Sequence, residues 1–271
     1  MHAEAASDTE SQMTNALECL TVDVSDFVAT VTIDRPPVNA QNRRLREEIV
    51  AVFDSLSDRA DVRAIVLTGA GKTFSAGADL KERPGLAQEA GAYPRHNRLV
   101  RASFDTVMEC AKPVIAAVNG AAIGAGCVLA LCCDIILVAE DAFFAMTEVD
   151  VGLAGGVSHV RRFFRESDAR MLIYTARRVR GAELYRMGVA SDCVPGERLL
   201  GLAQEIAREI ASKSPSAVQA AKRSFNVTEG LELRDGYRFE QSQTVALASS
   251  EDTKEAQLAF AEKRRPVFGG G

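Results

Sequence analysis

Residues 112–134 read Lys-Pro-Val-Ile-Ala-Ala-Val-Asn-Gly-Ala-Ala-Ile-Gly-Ala-Gly-Cys-Val-Leu-Ala-Leu-Cys-Cys-Asp, and the rest of the chain is organised around them. Val114 to Val118 is a short apolar, β-branched run, the pattern of a buried strand. Asn119-Gly120 breaks it. Gly124, Ala125 and Gly126 then open an apolar segment, Cys127 to Cys133, with the length of a buried helix. Small residues at a helix start let a ligand approach the backbone. The first N–H groups of a helix have no partner within it. Strand, small-residue turn and buried helix therefore make a site for an anion, or for an oxygen that becomes one during a reaction. The same small residues also suit plain close packing of helix on strand, and this stretch alone leaves both readings open. It is not a dinucleotide fingerprint, because Gly120, Gly124 and Gly126 do not fit G-x-G-x-x-G.

Outward from this element the chain alternates. Leu20 to Ser25 and Phe27 to Ile33 read as a hairpin. Arg35-Pro36-Pro37-Val38-Asn39-Ala40 is a rigid turn, and Asn42 to Leu56 carries Leu45, Ile49, Val52, Phe53 and Leu56 at helical spacing. Ala64 to Leu67 is a short buried strand. Thr68-Gly69-Ala70-Gly71-Lys72-Thr73 resembles a phosphate loop only superficially, since the first glycine that such a loop requires falls on Val66. Phe74-Ser75-Ala76-Gly77-Ala78-Asp79-Leu80 is a second small-residue loop that can present bare N–H groups. Residues 81–96 read as a mobile surface loop, and Arg98 to Cys110 as a helix that stops before Pro113.

Beyond the central element, Ile135 to Ala139 and Phe143 to Met146 read as strands. Glu148 follows at once among apolar residues, a setting that raises a carboxyl pKa and marks a candidate acid/base. Gly181 to Gly188 reads as a short helix closed by glycine, and Val189 to Val194 as a last strand. From Glu197 the pattern is helical: Arg198–Ser212, Ser216–Thr228, Leu231–Ser249 and Thr253–Lys263. The expectation is an α/β core over 17–196 with a helical region over 197–271, after a disordered start at 1–16.

The 271 residues are 47% hydrophobic and 25% charged, enough for a sizeable core. The net charge of -5 argues against a nucleic-acid partner. Six scattered cysteines without C-x-x-C read as reduced core residues of a cytoplasmic protein, not as a metal site. The apolar stretch 114–139 is interrupted by Asn119, glycines and Asp134, so no membrane span is expected.

From about residue 20 to residue 268 the chain resembles the enoyl-CoA hydratase/isomerase, or crotonase, family. The resemblance rests on Arg35-Pro36 with Asn39-Ala40, on Phe74 to Leu80, on Ala117 to Asp134, on Phe144 to Glu148 and on Glu251 to Phe268. It implies an α/β fold, a ββα spiral core with a helical C-terminal trimerisation region, assembled as a homotrimer or a dimer of trimers. It implies an acyl-CoA thioester substrate, and no cofactor beyond the coenzyme A that the substrate carries. Two backbone N–H groups would hold the thioester oxygen as an enolate forms, at positions matching Ala76 and Ala125. The loop Ala76, Gly77, Ala78, Asp79 and the C-terminal Phe260 and Lys263 would bind the coenzyme A portion, the last two often across a subunit boundary. Where relatives often have glycine, Ala125 brings a methyl that crowds the hole unless its φ is negative.

Two glutamates serve the best understood hydratases of that family. One matches Glu148. The other falls on Val128, so half of the water-activating pair is absent, with Asp150 and His159 as possible substitutes. The expected chemistry is enoyl-CoA hydration or isomerisation with one Glu. The alternatives are a non-catalytic acyl-CoA binder of the same fold, and a hydratase-lyase, thioesterase or decarboxylase.

Overall fold

A computed structural model describes residues 17–269; the expected disordered start, 1–16, lies outside them. Strand β1 (Leu20–Ser25) pairs antiparallel with β2 (Val28–Ile33), from Leu20 opposite Ile33 to Ser25 opposite Val28. Both turn residues are left-handed, Asp26 at φ 51° and Phe27 at φ 62°, which matches the twist of a two-residue hairpin. The Arg63 guanidinium lies 3.9 Å from the centre of the Phe27 ring and covers that strained residue. Helix α1 (Arg43–Asp58) follows, capped by the Asn42 side chain on the Leu45 N–H.

The chain then winds through two sheets. Strands β3 (Ala64–Gly69), β5 (Val114–Val118) and β7 (Ile135–Ala139) enter a six-stranded sheet of order β1-β2-β3-β5-β7-β10. Strands β4 (Thr73–Ser75), β6 (Ala121–Ile123) and β8 (Phe143–Ala145) enter a four-stranded sheet with β9 (Val179–Arg180). Each turn lays one parallel strand in each sheet and returns through helix: α2 (Arg83–Gln88) and α3 (Ala92–Glu109) on the first, α4 (Ala125–Leu131) on the second. This is the ββα spiral. Strands β3 and β5 are buried at every residue, which is why they read as unbroken apolar runs.

Two of the short strands, β4 and β6, were expected as loop and turn. Three residues are too few for a periodic signal, and glycines at 69 and 120 flank them. The span 81–96 is not a loop: α2 occupies its first part, and α3 starts at Ala92, ahead of the expected Arg98. The phosphate-loop look-alike is a turn clamped by two asparagines. Asn39 Nδ2 donates to Ala70 O and Thr73 O, and Asn119 Nδ2 donates to Gly69 O and Gly71 O.

Helices α5 (Val157–Phe163), α6 (Glu166–Thr175) and α7 (Gly181–Arg186) precede β10 (Asp192–Val194). Helix α8 (Gly196–Ala211) then buries Leu199, Ala203, Ala207 and Ala211 against the six-stranded sheet. It is a layer of the core, so packing does not change character at residue 197. Helices α9 (Pro215–Thr228), α10 (Leu233–Leu247) and α11 (Glu251–Glu262) stand outside it. Among the described residues all six cysteines are free thiols, and no helix is long and apolar enough to cross a membrane.

One ion pair ties α9 to the core. Buried Lys222 donates to Asp134 Oδ2 at 2.8 Å and to Lys112 O at 3.0 Å, while the same carboxylate takes the Val114 N–H at 2.7 Å. Lys222→Met leaves that carboxylate without its cation. The expected loss is about 2–3 kcal/mol, below the full cost for a buried pair because Asp134 remains partly in water. A lowered urea midpoint at constant slope checks it.

Candidate active site

The two small-residue loops meet. A Cβ built on Gly77 would lie 2.3 Å from Ile123 O and 3.2 Å from Ala125 N, so the backbones touch there. The same crowding recurs at Gly126, where a Cβ would lie 2.2 Å from Ser75 O. Gly126 is thus explained by packing alone, whereas its neighbours face the shared gap between the loops.

In the first loop the Ala76 N–H is not free. It donates to Val38 O at 3.0 Å, which corrects the expectation that Ala76 supplies a donor. The available donor is Ala78. Gln41 N–H donates to Gly77 O at 2.7 Å and Asp79 N–H donates to Gln41 O at 3.0 Å, a parallel bridge with Ala78 at its centre. In such a bridge the central residue's own N–H points to the opposite side. No acceptor takes it among the described residues. Gly77, at φ +82°, bends the chain between Ala76 and Ala78, so the two N–H groups meet different surroundings.

In the second loop Gly124 N–H donates to Ala145 O at 2.8 Å. Gly124 carries the left-handed φ, +52°, and Ala125 does not. The expected crowding by the Ala125 methyl therefore does not arise. Ala125 is the first residue of α4, where an N–H has no acceptor within the helix. Ala78 and Ala125 are both half-buried and open to a ligand. Two unpaired N–H groups on touching loops can hold one developing oxyanion.

Glu148 opens the short 3-10 turn Glu148–Val151 after β8. Its carboxyl lies against the second loop: a Cβ on Gly124 would fall 2.6 Å from Oε1. Oε2 is buried and has no hydrogen-bond partner. Burial pushes the pKa of Glu148 above the usual carboxylate range, against the opposing pull of a backbone hydrogen bond and of Arg83. A proton acceptor thus sits beside the two donors. Gly124→Ala would drive a methyl into that carboxyl and impose a strained φ. The expected outcome is a drop in turnover on the order of 10²-fold with the circular dichroism spectrum unchanged.

Val128 is buried one turn into α4. It packs with Met146 beside Gly156, where a Cβ would meet Val128 Cγ2 at 2.8 Å and Met146 Cε at 2.4 Å. Apolar groups fill the place of a second acid. Asp150 is exposed. His159 packs edge-on against Phe104 at 5.6 Å, and burial lowers its pKa, with Arg162, Asp105 and Glu229 as the charges around it. Neither residue joins Glu148.

Asp79 is bound into the scaffold. It pairs with Arg35 at 2.8 Å and accepts the Lys81 N–H. Burial opposes its ionisation, but these partners outweigh it and hold the pKa below the usual range. Arg35 also donates to Ala40 O, which fastens the proline turn to this loop. Phe260 and Lys263 stand exposed at the end of α11, which packs on α9. Sequence reasoning missed Gln41 and Arg83. Neither belongs to a local pattern, and only the fold brings them here.

The model of the family described as enoyl-CoA hydratase/isomerase matches residues 23–271. The short-chain-enoyl-CoA hydratase of Clostridium acetobutylicum is 36% identical over 243 residues, covering 88% of this chain and 92% of that protein. The carnitinyl-CoA dehydratase of Salmonella arizonae is 36% identical over 252 residues, covering 90% and 95%. The crystal structure of an enoyl-CoA hydratase from Bacillus anthracis superposes with a TM-score of 0.88 at 33% identity, covering 94% of this chain and all of that one. The chain belongs to the enoyl-CoA hydratase/isomerase family, and its fold is the crotonase fold.

Proposed function

We propose that this protein transfers a proton at Cα of an enoyl-CoA thioester, with Ala78 and Ala125 holding the enolate oxygen and Glu148 as the single acid/base. The observation that carries the reading is the half-buried Glu148 carboxyl, with Oε2 enclosed and unpaired, seated against Gly124 beside the two free N–H groups. Charge grows on the thioester oxygen during the reaction, so fixed donors favour the transition state over the ground state. With Val128 and Met146 in place of a second acid, one carboxylate can take a proton from one carbon and return it to another. That is double-bond migration. Hydration is the second reading, favoured by the names of the relatives, and it needs water activated by a group other than Glu148.

No cofactor is required beyond the coenzyme A of the substrate. Phe260 and Lys263 suit an adenine face and a phosphate, and they would reach them on a neighbouring subunit. A homotrimer or a dimer of trimers is supported by Phe225, Leu233, Tyr237 and Val245, large apolar side chains left in water on α9 and α10. Light scattering on the eluting protein should give three or six chain masses, and a single-chain mass overturns the assembly. Free thiols throughout the described chain suit the cytoplasm.

The test is turnover of trans-2-enoyl-, trans-3-enoyl- and cinnamoyl-type CoA thioesters in 18O-water, followed by mass spectrometry. Migration without label supports the one-carboxylate isomerase. Gain of labelled water supports hydration. Binding without turnover across the panel returns the chain to the non-catalytic acyl-CoA binder.

A further inference from the structure

We infer that Gln41 is the positioning residue that sets the spacing of the two oxyanion donors. The inference rests on the reading of Ala78 and Ala125 just given. Gln41 is fully buried and touches both donor loops. Its backbone grips the first loop on either side of Ala78, through Gly77 O at 2.7 Å and the Asp79 N–H at 3.0 Å. Its side chain grips the second, with Nε2 donating to Ala125 O at 3.0 Å and, more weakly, to Ser75 Oγ at 3.5 Å.

The amide orientation follows from these partners. Turned over, it would set Oε1 against Ala125 O, acceptor against acceptor. As placed, Oε1 is buried without a donor. A buried orphan acceptor is a cost to the fold. An apolar residue of equal length would avoid it, so the amide does not contribute through burial. What it does is hold the Ala125 carbonyl, and with it the first turn of α4, at a fixed distance from the Ala78 strand. Donors of an oxyanion hole act only when aimed in advance at the place where charge will develop, and among the described residues Gln41 is the one side chain hydrogen-bonded between the two loops that carry them.

The experiment uses the full-length protein, Gln41→Met, and butyryl-CoA labelled with 13C at its thioester carbonyl. A saturated acyl chain can be neither hydrated nor isomerised. In wild type, isotope-edited infrared spectra should show the bound carbonyl band at lower wavenumber than in solution, because two donors polarise it. Gln41→Met should lose at least about half of that shift while still binding butyryl-CoA with a similar Kd. Its kcat should fall on the order of 10²-fold, as for a misplaced catalytic group, with KM changing far less. A full band shift and full kcat in Gln41→Met overturn the inference.

If Gln41→Met does not fold, Gln41→Glu replaces it. A protonated carboxyl can still donate to Ala125 O and an ionised one cannot. The band shift should then fall with rising pH in the variant and not in wild type; a shift equal to wild type at every pH overturns the inference. Failure of wild type to bind butyryl-CoA would instead overturn the acyl-CoA reading itself, and this inference with it.

Discussion

Glu148→Gln should lower kcat on the protein's own enoyl-CoA substrate by about 10²–10⁴-fold, the range that general acid–base catalysis supplies. Gln keeps the shape and polarity of the side chain and removes only its ability to carry a proton. Among the described residues no other acid stands ready: Val128 and Met146 fill the place of the second one, Asp150 is exposed and His159 packs on Phe104. Steady-state kinetics checks the loss, and full activity in the variant would remove Glu148 from the mechanism.

The same carboxyl has a signature in pH. Its folded pKa lies above the usual glutamate range, because burial disfavours the ionised form. As the base it must be ionised, so the acid limb of kcat should fall at a higher pH than an ordinary glutamate gives, and should vanish in Glu148→Gln. Stability carries the matching sign. The folded state binds this proton more tightly than the unfolded chain does. Stability therefore falls as pH rises from the unfolded value through the raised folded one, and is level above it. At neutral pH Glu148→Gln should be at least as stable as wild type. Thermal melts at pH 7 set against the kinetics would show activity and stability moving in opposite directions, as at other strained functional sites.

Ala125→Pro should remove one oxyanion donor and set the ring Cδ in its place, while leaving the helix start intact. Proline at the first position of a helix is tolerated, because that N–H has no helical acceptor to lose and the ring fixes a helical φ. The preceding residue is Gly124, whose freedom accommodates the restriction that proline imposes on its neighbour. Loss of one donor costs roughly 2.7–4 kcal/mol of transition-state stabilisation, or about 10²–10³-fold in kcat. The expected result is that drop with an unchanged melting temperature. Turnover at the wild-type rate would mean that the Ala125 N–H does not meet the thioester oxygen.

Much of this protein is legible locally. Alternating apolar runs and helical stripes mark β1, β2, β3, β5 and β7 and the helices α1 and α8 to α11, since burial on one face or on both imposes its period on the chain. Glu148 stood out as a carboxyl set among apolar residues, and the Gly124–Gly126 turn as a bare helix start. What the sequence could not decide was which of these small residues keeps a free N–H. The segment from Ala76 to Ala78 reads as small residues throughout, yet one alanine N–H is spent on Val38 and the other is left over. That choice is made by Gln41, which lies far back along the chain and pairs with Gly77 O and the Asp79 N–H, and by the left-handed Gly77. Likewise β4 and β6 are too short to announce themselves and exist because each finds a neighbour in the second sheet. Residue types and spacing pointed to the family, the resemblance implied the spiral, and Glu148 was legible as the candidate acid. Hydrogen-bond partners drawn from distant parts of the chain decided which backbone groups remain unpaired, because a donor is free only when everything around it has already been satisfied.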